Sequence, residues 1–261
     1  MKSSDGVLLE AKNIVMKFGG LKALDGVDVE ASKGEILGLI GPNGSGKTTF
    51  FNVVTGIYRP TEGRVFFKGN DIGRESEQEI ARRGIIRTFQ NSRLWLELSV
   101  LDNVLLGMFL REKPGILPVI FNYRAIVKDF SEKAEECLEV LSIFDPELSA
   151  NCYRRARDLS LVDRRRVEIC RAVVANPQLL LLDEPSAGMD INETRELMDD
   201  IQKIKEEKGD IGVIVIEHDM LVISTIAERV IVFNFGKKIA EGTYQEIRDN
   251  QEVREAYLGK Q

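Results

Sequence analysis

Residues Gly41–Thr48 read GPNGSGKT, three glycines followed by a lysine and a threonine at the start of a helical pattern. Glycines let successive backbone N–H groups turn toward one centre and surround phosphate oxygens, and a helix N-terminus adds positive potential. Lys47 then reaches the β and γ phosphates of a nucleoside triphosphate, and the Thr48 hydroxyl is an oxygen donor for Mg²⁺. A second chemical pair, Asp183-Glu184, ends the apolar run Leu179–Leu182. Ligands of open α/β sheets bind at such strand ends, so Asp183 is expected to hold Mg²⁺, directly or through water. Glu184, one residue on, is expected to polarise the attacking water as general base; the alternative is a solvated acidic strand end. His218 is the only histidine in the chain and follows another apolar run, Gly212–Glu217. A lone histidine is more often structural, but its position after the acid pair favours a role at the γ-phosphate.

These residues need elements to carry them. Glu35–Ile40 and Leu179–Leu182 have the short apolar pattern of buried strands, while Thr48–Thr55 and Glu193–Lys205 have helical patterns. The alternation predicts an α/β fold with a mainly parallel sheet and a P-loop NTPase (RecA-like) core. Leu8–Lys17 and Ala23–Ala31, joined by the turn Phe18-Gly19-Gly20, predict an N-terminal antiparallel β layer. From Leu98 to Arg171 the pattern becomes helical, with Ser99 placed as a cap and Ser131–Leu141 amphipathic, which predicts an inserted helical subdomain. The apolar loop-like stretch Glu112–Asn122 reads as a packed loop or a partner contact. The expected organisation is one domain over 1–261, with 1–90 and 172–261 forming the β layer and nucleotide core, and 91–171 the helical subdomain.

Composition bounds the setting. With 261 residues, 43% of them hydrophobic, the chain buries a substantial core. A net charge of -6 gives no electrostatic reason to expect nucleic acid as partner. The three cysteines, Cys137, Cys152 and Cys170, form no CxxC pair and fit a reducing compartment better than a disulfide framework. No stretch approaches the about 20 apolar residues of a membrane span, and the N-terminus has no signal-peptide core.

Taken in order, these motifs resemble the ATP-binding cassette of ABC transporters over essentially the whole chain. GPNGSGKT matches the Walker A loop, whose Gly41, Pro42, Asn43, Gly44, Ser45, Gly46, Lys47, Thr48 and Thr49 the resemblance implies bind ATP; LLLLDE matches Walker B. Phe18 resembles the aromatic that stacks on adenine, and Gln90 in RTFQN the Q-loop glutamine, implied to sense the γ-phosphate and join Thr48 and Asp183 around Mg²⁺. Ser186–Asp190 resembles the D-loop and His218 the switch histidine. The text IIRTFQNSRLWLELSVLDNV and the ending near Tyr257-Leu258-Gly259 look most like the ATP-binding subunits of branched-chain amino-acid importers. The resemblance implies an ATPase on the cytoplasmic face of the membrane. Its implied partners are transmembrane permease subunits, a second cassette and a periplasmic or extracellular substrate-binding protein, with apolar residues Leu94, Trp95 and Leu96 either near the permease or in the core of the helical subdomain. A lipopolysaccharide-export cassette and a soluble ABC ATPase are the alternatives.

One motif departs from the family. The signature loop, near LSGGQ, is here Leu159-Ser160-Leu161-Val162-Asp163, lacking both glycines. Ser160 remains as the residue implied to meet the γ-phosphate of ATP in a partner cassette. Val162 is expected to add bulk at that approach and to disfavour a positive φ, weakening the site built on the partner's Walker loop; the alternative is a tolerated variant in which only the second glycine matters slightly.

Overall fold

The computed structural model describes residues 6–88, 94–109 and 123–258. The stretch Glu112–Asn122 and the residues Gln90 and Gly259 lie outside the described residues.

The chain divides into two compact units, one of 1–90, 178–188 and 205–261, the other of 91–177 and 189–204. In the first unit, β1 (Val7–Phe18) and β2 (Leu21–Ser32) pair antiparallel, with Phe18 opposite Leu21 across the expected turn. Two strands the sequence reading did not anticipate, β4 (Glu62–Phe67) and β5 (Asn70–Asp71), complete this sheet in the order β2-β1-β4-β5. The second sheet is built on β3 (Ile36–Ile40), β6 (Ile85–Arg87), β7 (Leu179–Asp183), β8 (Gly212–Ile216), β9 (Arg229–Asn234) and β10 (Lys237–Gly242), in the order β10-β9-β3-β8-β7-β6. Its pairs are parallel except β9–β10. Strands β3, β7 and β8 are buried at every residue, as expected of parallel strands covered on both faces. The two sheets share a core with α1 (Lys47–Val54) through Leu9, Ile14, Leu39, Phe50, Phe51 and Phe233. The remaining short helix before β6 is α2 (Glu77–Arg83), opened by a Ser76–Glu79 capping box.

Arg229 ties this unit's layers together. Its guanidinium donates to Glu35 at 2.7 and 3.0 Å and to the Glu30 carbonyl at 2.7 Å, and it pairs with Glu241. Burial by itself would raise the Glu35 pKa, but the bonds from Arg229 and Ser32 outweigh it and hold the carboxyl below its usual value.

The second unit is helical, comprising α3 (Val100–Met108), α4 (Tyr123–Phe144), α5 (Pro146–Ala150), α6 (Leu161–Val173) and the greater part of α7 (Ile191–Lys208). Ser99 caps α3 in a reciprocal box with Asp102, as its position predicts. Helices α3 and α6 pack closely at Gly107, where a Cβ would lie 2.0 Å from the Arg171 carbonyl oxygen. Cys137, Cys152 and Cys170 are buried free thiols. The C-terminal part of the first unit carries α8 (Met220–Ile226), α9 (Tyr244–Asp249) and α10 (Gln251–Leu258). Among the described residues, no helix is long and apolar enough to cross a membrane.

Candidate functional site

The loop Gly41–Gly46 leaves β3 and enters α1 directly. Gly41, Gly44 and Gly46 have φ of 149°, 78° and 108°, values that an L side chain rarely adopts. A Cβ at Gly41 would lie 2.1 Å from the Phe233 carbonyl oxygen, and one at Gly46 2.7 Å from that of Ala23. The loop is therefore pinned between β9 and β2 by backbone that only glycine permits. Hydrogen bonds from Gly236 N–H to the Ser45 carbonyl and from Asp25 N–H to the Gly236 carbonyl fasten the β9–β10 turn to both.

Lys47 is buried, and its Nζ donates to the Gly41 and Pro42 carbonyls at 2.7 and 3.2 Å. Burial lowers the lysine pKa, with the Glu184 and Asp183 carboxylates acting against the fall. The Ser45 hydroxyl is buried and, among the described residues, makes no hydrogen bond. Orphaned buried hydroxyls are rare, and this one lies in a loop shaped to surround oxygen atoms.

A cavity of about 440 Å³ opens over the loop, lined by Asn43–Thr49 together with Phe18, Leu21, Lys22, Ala23, Glu184, Phe235 and Gly236. It brings together Asn43, Gly44, Ser45, Gly46, Lys47, Thr48, Thr49, Phe18 and Glu184 from the sequence reading. Gly41 and Pro42 do not line it; they shape the loop and hold Lys47 through their carbonyls. Phe18 stands edge-on to Tyr58, ring centroids 5.2 Å apart, with 41% of its surface exposed for a planar ligand.

Asp183 ends β7 and is buried. Its Oδ2 accepts from Arg87 Nη2 at 2.6 Å, while Arg87 Nη1 donates to Asn52 Oδ1 at 2.6 Å and the guanidinium lies 5.3 Å from the Phe51 ring centre. Arg87 is a functional residue absent from the sequence analysis; its one signal there is its place three residues before Gln90, and the structure sets it on the strand beside β7. Glu184 occupies the left-handed region at φ 47°, its N–H donating to the Ile216 carbonyl at 2.9 Å. Such a conformation costs about 1–3 kcal/mol in a non-glycine residue and collects at functional sites.

His218 follows β8, its side chain 60% exposed and its Nδ1 3.7 Å from Glu217 Oε2. Glu217 is fully buried, and its Oε1 accepts from both the backbone N–H and the hydroxyl of Ser186 at 3.0 and 2.7 Å. In the second unit, Asp190 accepts from the N–H groups of Asn192 and Glu193 and so caps α7.

Ser160 caps α6, its Oγ accepting from the Asp163 N–H at 3.1 Å; it does not line the cavity. The expectation for Val162 is corrected here. Leu161 and Val162 are the first residues of a right-handed helix, neither has a positive φ, and Val162 is buried while Leu161 is 42% exposed. Asp163 N–H is satisfied by the cap, so the segment needs no glycine to turn. Leu94 is likewise buried, whereas Trp95 and Leu96 are exposed.

A glycine cradle at the end of a parallel strand, a lysine inside it and an acidic pair two strands away define a P-loop nucleotide-binding protein. Comparison with known proteins narrows this class. The ABC transporter family model matches residues 24–187, more than half of the chain, and the branched-chain amino acid ATP-binding cassette transporter model matches residues 237–261. The high-affinity branched-chain amino acid transport ATP-binding protein LivG of Salmonella typhimurium is 38% identical over 97% of this chain and 98% of its own length. BraF of Pseudomonas aeruginosa, of the same description, is 37% identical over the same shares. Among solved structures, a nucleotide-free ATP-binding cassette of an ABC transporter superposes with a TM-score of 0.83 at 32% identity, covering 97% of this chain and 100% of that one. An ADP conformation of such a cassette gives 0.82 at 32%, covering 97% and 99%. The chain belongs to the ABC transporter family and is its ATP-binding cassette, a nucleotide-binding ATPase subunit coupled to transport.

Proposed function

We propose that this chain powers the import of branched-chain or related amino acids, acting at the cytoplasmic face of the membrane with permease subunits, a second cassette and a substrate-binding protein. The observation that supports this is the end-to-end similarity to LivG and BraF, reinforced by the family match in the C-terminal 237–261.

In this reading Phe18 packs on adenine, and the loop N–H groups with the Ser45 hydroxyl receive phosphate oxygens. Lys47 exchanges the Gly41 and Pro42 carbonyls for β and γ phosphate oxygens. Mg²⁺ fits the donor set, since the Thr48 hydroxyl and an Asp183 carboxylate are hard oxygen ligands and Arg87 fixes the orientation of that carboxylate. Bound there with nucleotide, the ion would draw off phosphate charge. Glu184 holds the attacking water and takes its proton, and His218 meets the γ-phosphate. Gln90, outside the described residues, keeps its assignment as γ-phosphate sensor and Mg²⁺ ligand from the family motif. Ser160 keeps its assignment toward the nucleotide of the partner cassette. Trp95 is 66% exposed although its backbone N–H and C=O are both held by the buried Asn103 side chain. An apolar side chain displayed from a fixed backbone suits a permease helix.

The test is purification of the chain from native membranes in mild detergent, with the co-purifying proteins identified by mass spectrometry. Two multi-span subunits and a second cassette are expected; ribosomal or DNA-repair proteins without a membrane subunit would overturn the proposal.

A further inference from the structure

Glu217 is a fully buried carboxylate that the proposed chemistry does not use. Carboxylates at such depth are costly unless paired. One oxygen is accounted for, since Oε1 accepts two hydrogen bonds from Ser186, at 3.0 Å from the backbone N–H and 2.7 Å from the hydroxyl. The other, Oε2, is buried and makes no hydrogen bond among the described residues, yet it lies 3.7 Å from His218 Nδ1. Ser186 stands two residues beyond Glu184, so the carboxylate lies between the segment that follows the general base and the sole histidine of the chain. The ionisable groups acting on it are His218, which favours its charge, and Glu184, which opposes it; burial raises its pKa more than either, and the Ser186 bonds restrain the rise.

We propose that Glu217 is a positioning residue for His218: Oε1 anchors the carboxylate on Ser186, and Oε2 takes the Nδ1–H of the imidazole, leaving the Nε2 lone pair on the nucleotide side to accept a hydrogen bond from the attacking water beside the γ-phosphate. The separation of 3.7 Å exceeds a direct hydrogen bond. The imidazole is the partner that moves, because its side chain is 60% exposed while Glu217 is anchored and buried. Which ring nitrogen carries the proton is set by the bond the other nitrogen makes. The carboxylate therefore selects the tautomer opposite to the Nε2–H form that a free neutral histidine favours. The same anchor couples the imidazole to the backbone just after Glu184, so the two groups assigned to the γ-phosphate and the attacking water share one support. This inference rests on the assignment of His218 in the proposed function, but the pairing itself does not.

Because His218 is the only histidine, a tag-free, ¹⁵N-labelled full-length chain gives a single imidazole in a two-bond ¹H–¹⁵N correlation spectrum, recorded above the imidazole titration. The expected result is the Nδ1–H tautomer in the wild type and the Nε2–H tautomer in Glu217→Gln, whose amide keeps the size of the side chain and is oriented by Ser186 to present an NH₂ group. Loss of packing alone would not exchange the tautomers. An Nε2–H wild type overturns the pairing without recourse to any variant. In the same variant kcat for ATP should fall about ten-fold with KM little changed, since the imidazole then turns an N–H in place of a lone pair toward the attacking water; equal kcat in the two proteins overturns the positioning role. His218→Ala separates the two claims. Unchanged turnover in that variant sinks the assignment of His218 in the proposed function, whatever tautomer the wild type has.

Discussion

Glu184 and Phe235 are both held at positive φ, 47° and 46°, for different reasons. At Glu184 the conformation carries the chain from the end of β7 into Pro185-Ser186 with the carboxylate on the cavity wall. Glu184→Gln keeps that backbone requirement and removes the base. The expected outcome is ATP binding within about two-fold of wild type and turnover reduced by about 10²-fold or more, measured by nucleotide titration and phosphate release. Substantial residual hydrolysis would remove Glu184 from the role. Phe235 and Gly236 form the two-residue turn between β9 and β10, both with positive φ, the pattern of a type I′ turn that favours Asn-Gly. Phe235 is 85% exposed, so little burial offsets its backbone strain. Phe235→Asn is expected to stabilise the fold by about 1 kcal/mol, read from urea unfolding. The Walker residues were legible because their types and spacing are dictated by phosphate chemistry. Glu217 and Arg87 were not, because an acid just past a strand or an arginine at the end of one acquires meaning only from what the fold sets opposite it.

Two elements carry consequences of their own. At the start of α6 the missing glycines leave a regular helix capped by Ser160, and Val162 contributes burial rather than a backbone obstacle. Val162→Gly would remove a buried side chain and raise the backbone entropy lost on forming the helix. It should lower stability by about 2–3 kcal/mol in chemical denaturation, so any gain in turnover could not be read from it cleanly. Leu161→Gly tests the degenerate signature better, because the residue is exposed and lies in the first turn. If the signature limits hydrolysis, this variant should raise turnover in the assembled complex; no rise would mean that the loop works as it stands. The contact of β9 with the segment before β3 carries a pH dependence. The folded pKa of Glu35 is depressed from 4.5, so its stabilising contribution is full above that value and is lost as pH falls through the lower folded value. The stability gap between wild type and Glu35→Gln, measured by urea unfolding, is expected to be wide at neutral pH and to narrow below about pH 4. A gap independent of pH would contradict the pairing with Arg229.

For the whole molecule, the division into a sheet-rich unit and a helical unit separates the tasks. The first holds the cavity, which Lys47 and Glu184 line, and also carries Asp183 and His218, which do not line it, while the second displays Ser160, Trp95 and Leu96. ABC cassettes work as pairs, and a dimeric ABC transporter cassette superposes with a TM-score of 0.73 at 27% identity, covering 91% of this chain and 99% of that one. In a heterodimer, a signature that limits hydrolysis would affect only the nucleotide on the partner's Walker loop. In that case removing this chain's lysine with Lys47→Ala should lower turnover of the complex more than the equivalent change in the partner, measured as phosphate release from reconstituted vesicles. Equal losses would mean that both sites hydrolyse alike.

The sequence by itself determined the phosphate loop, the acid pair, the buried strands β3, β7 and β8 and the helical insert. Each is local, a run of residues whose composition has one physical use. It did not determine β4, β5 and β6, which are short or half-exposed and take their strand character from neighbours. Nor did it determine that Arg87 meets Asp183, that Ser186 anchors Glu217 beside His218, or that Val162 turns inward. Those pairs are 96, 31 and 1 residues apart in sequence, in the order Arg87–Asp183, Ser186–Glu217 and Glu217–His218. Only the side-by-side pairing of β6 with β7 and of β7 with β8 brings the first two pairs together, and only the burial of Glu217 turns an ordinary neighbour of histidine into a support for it.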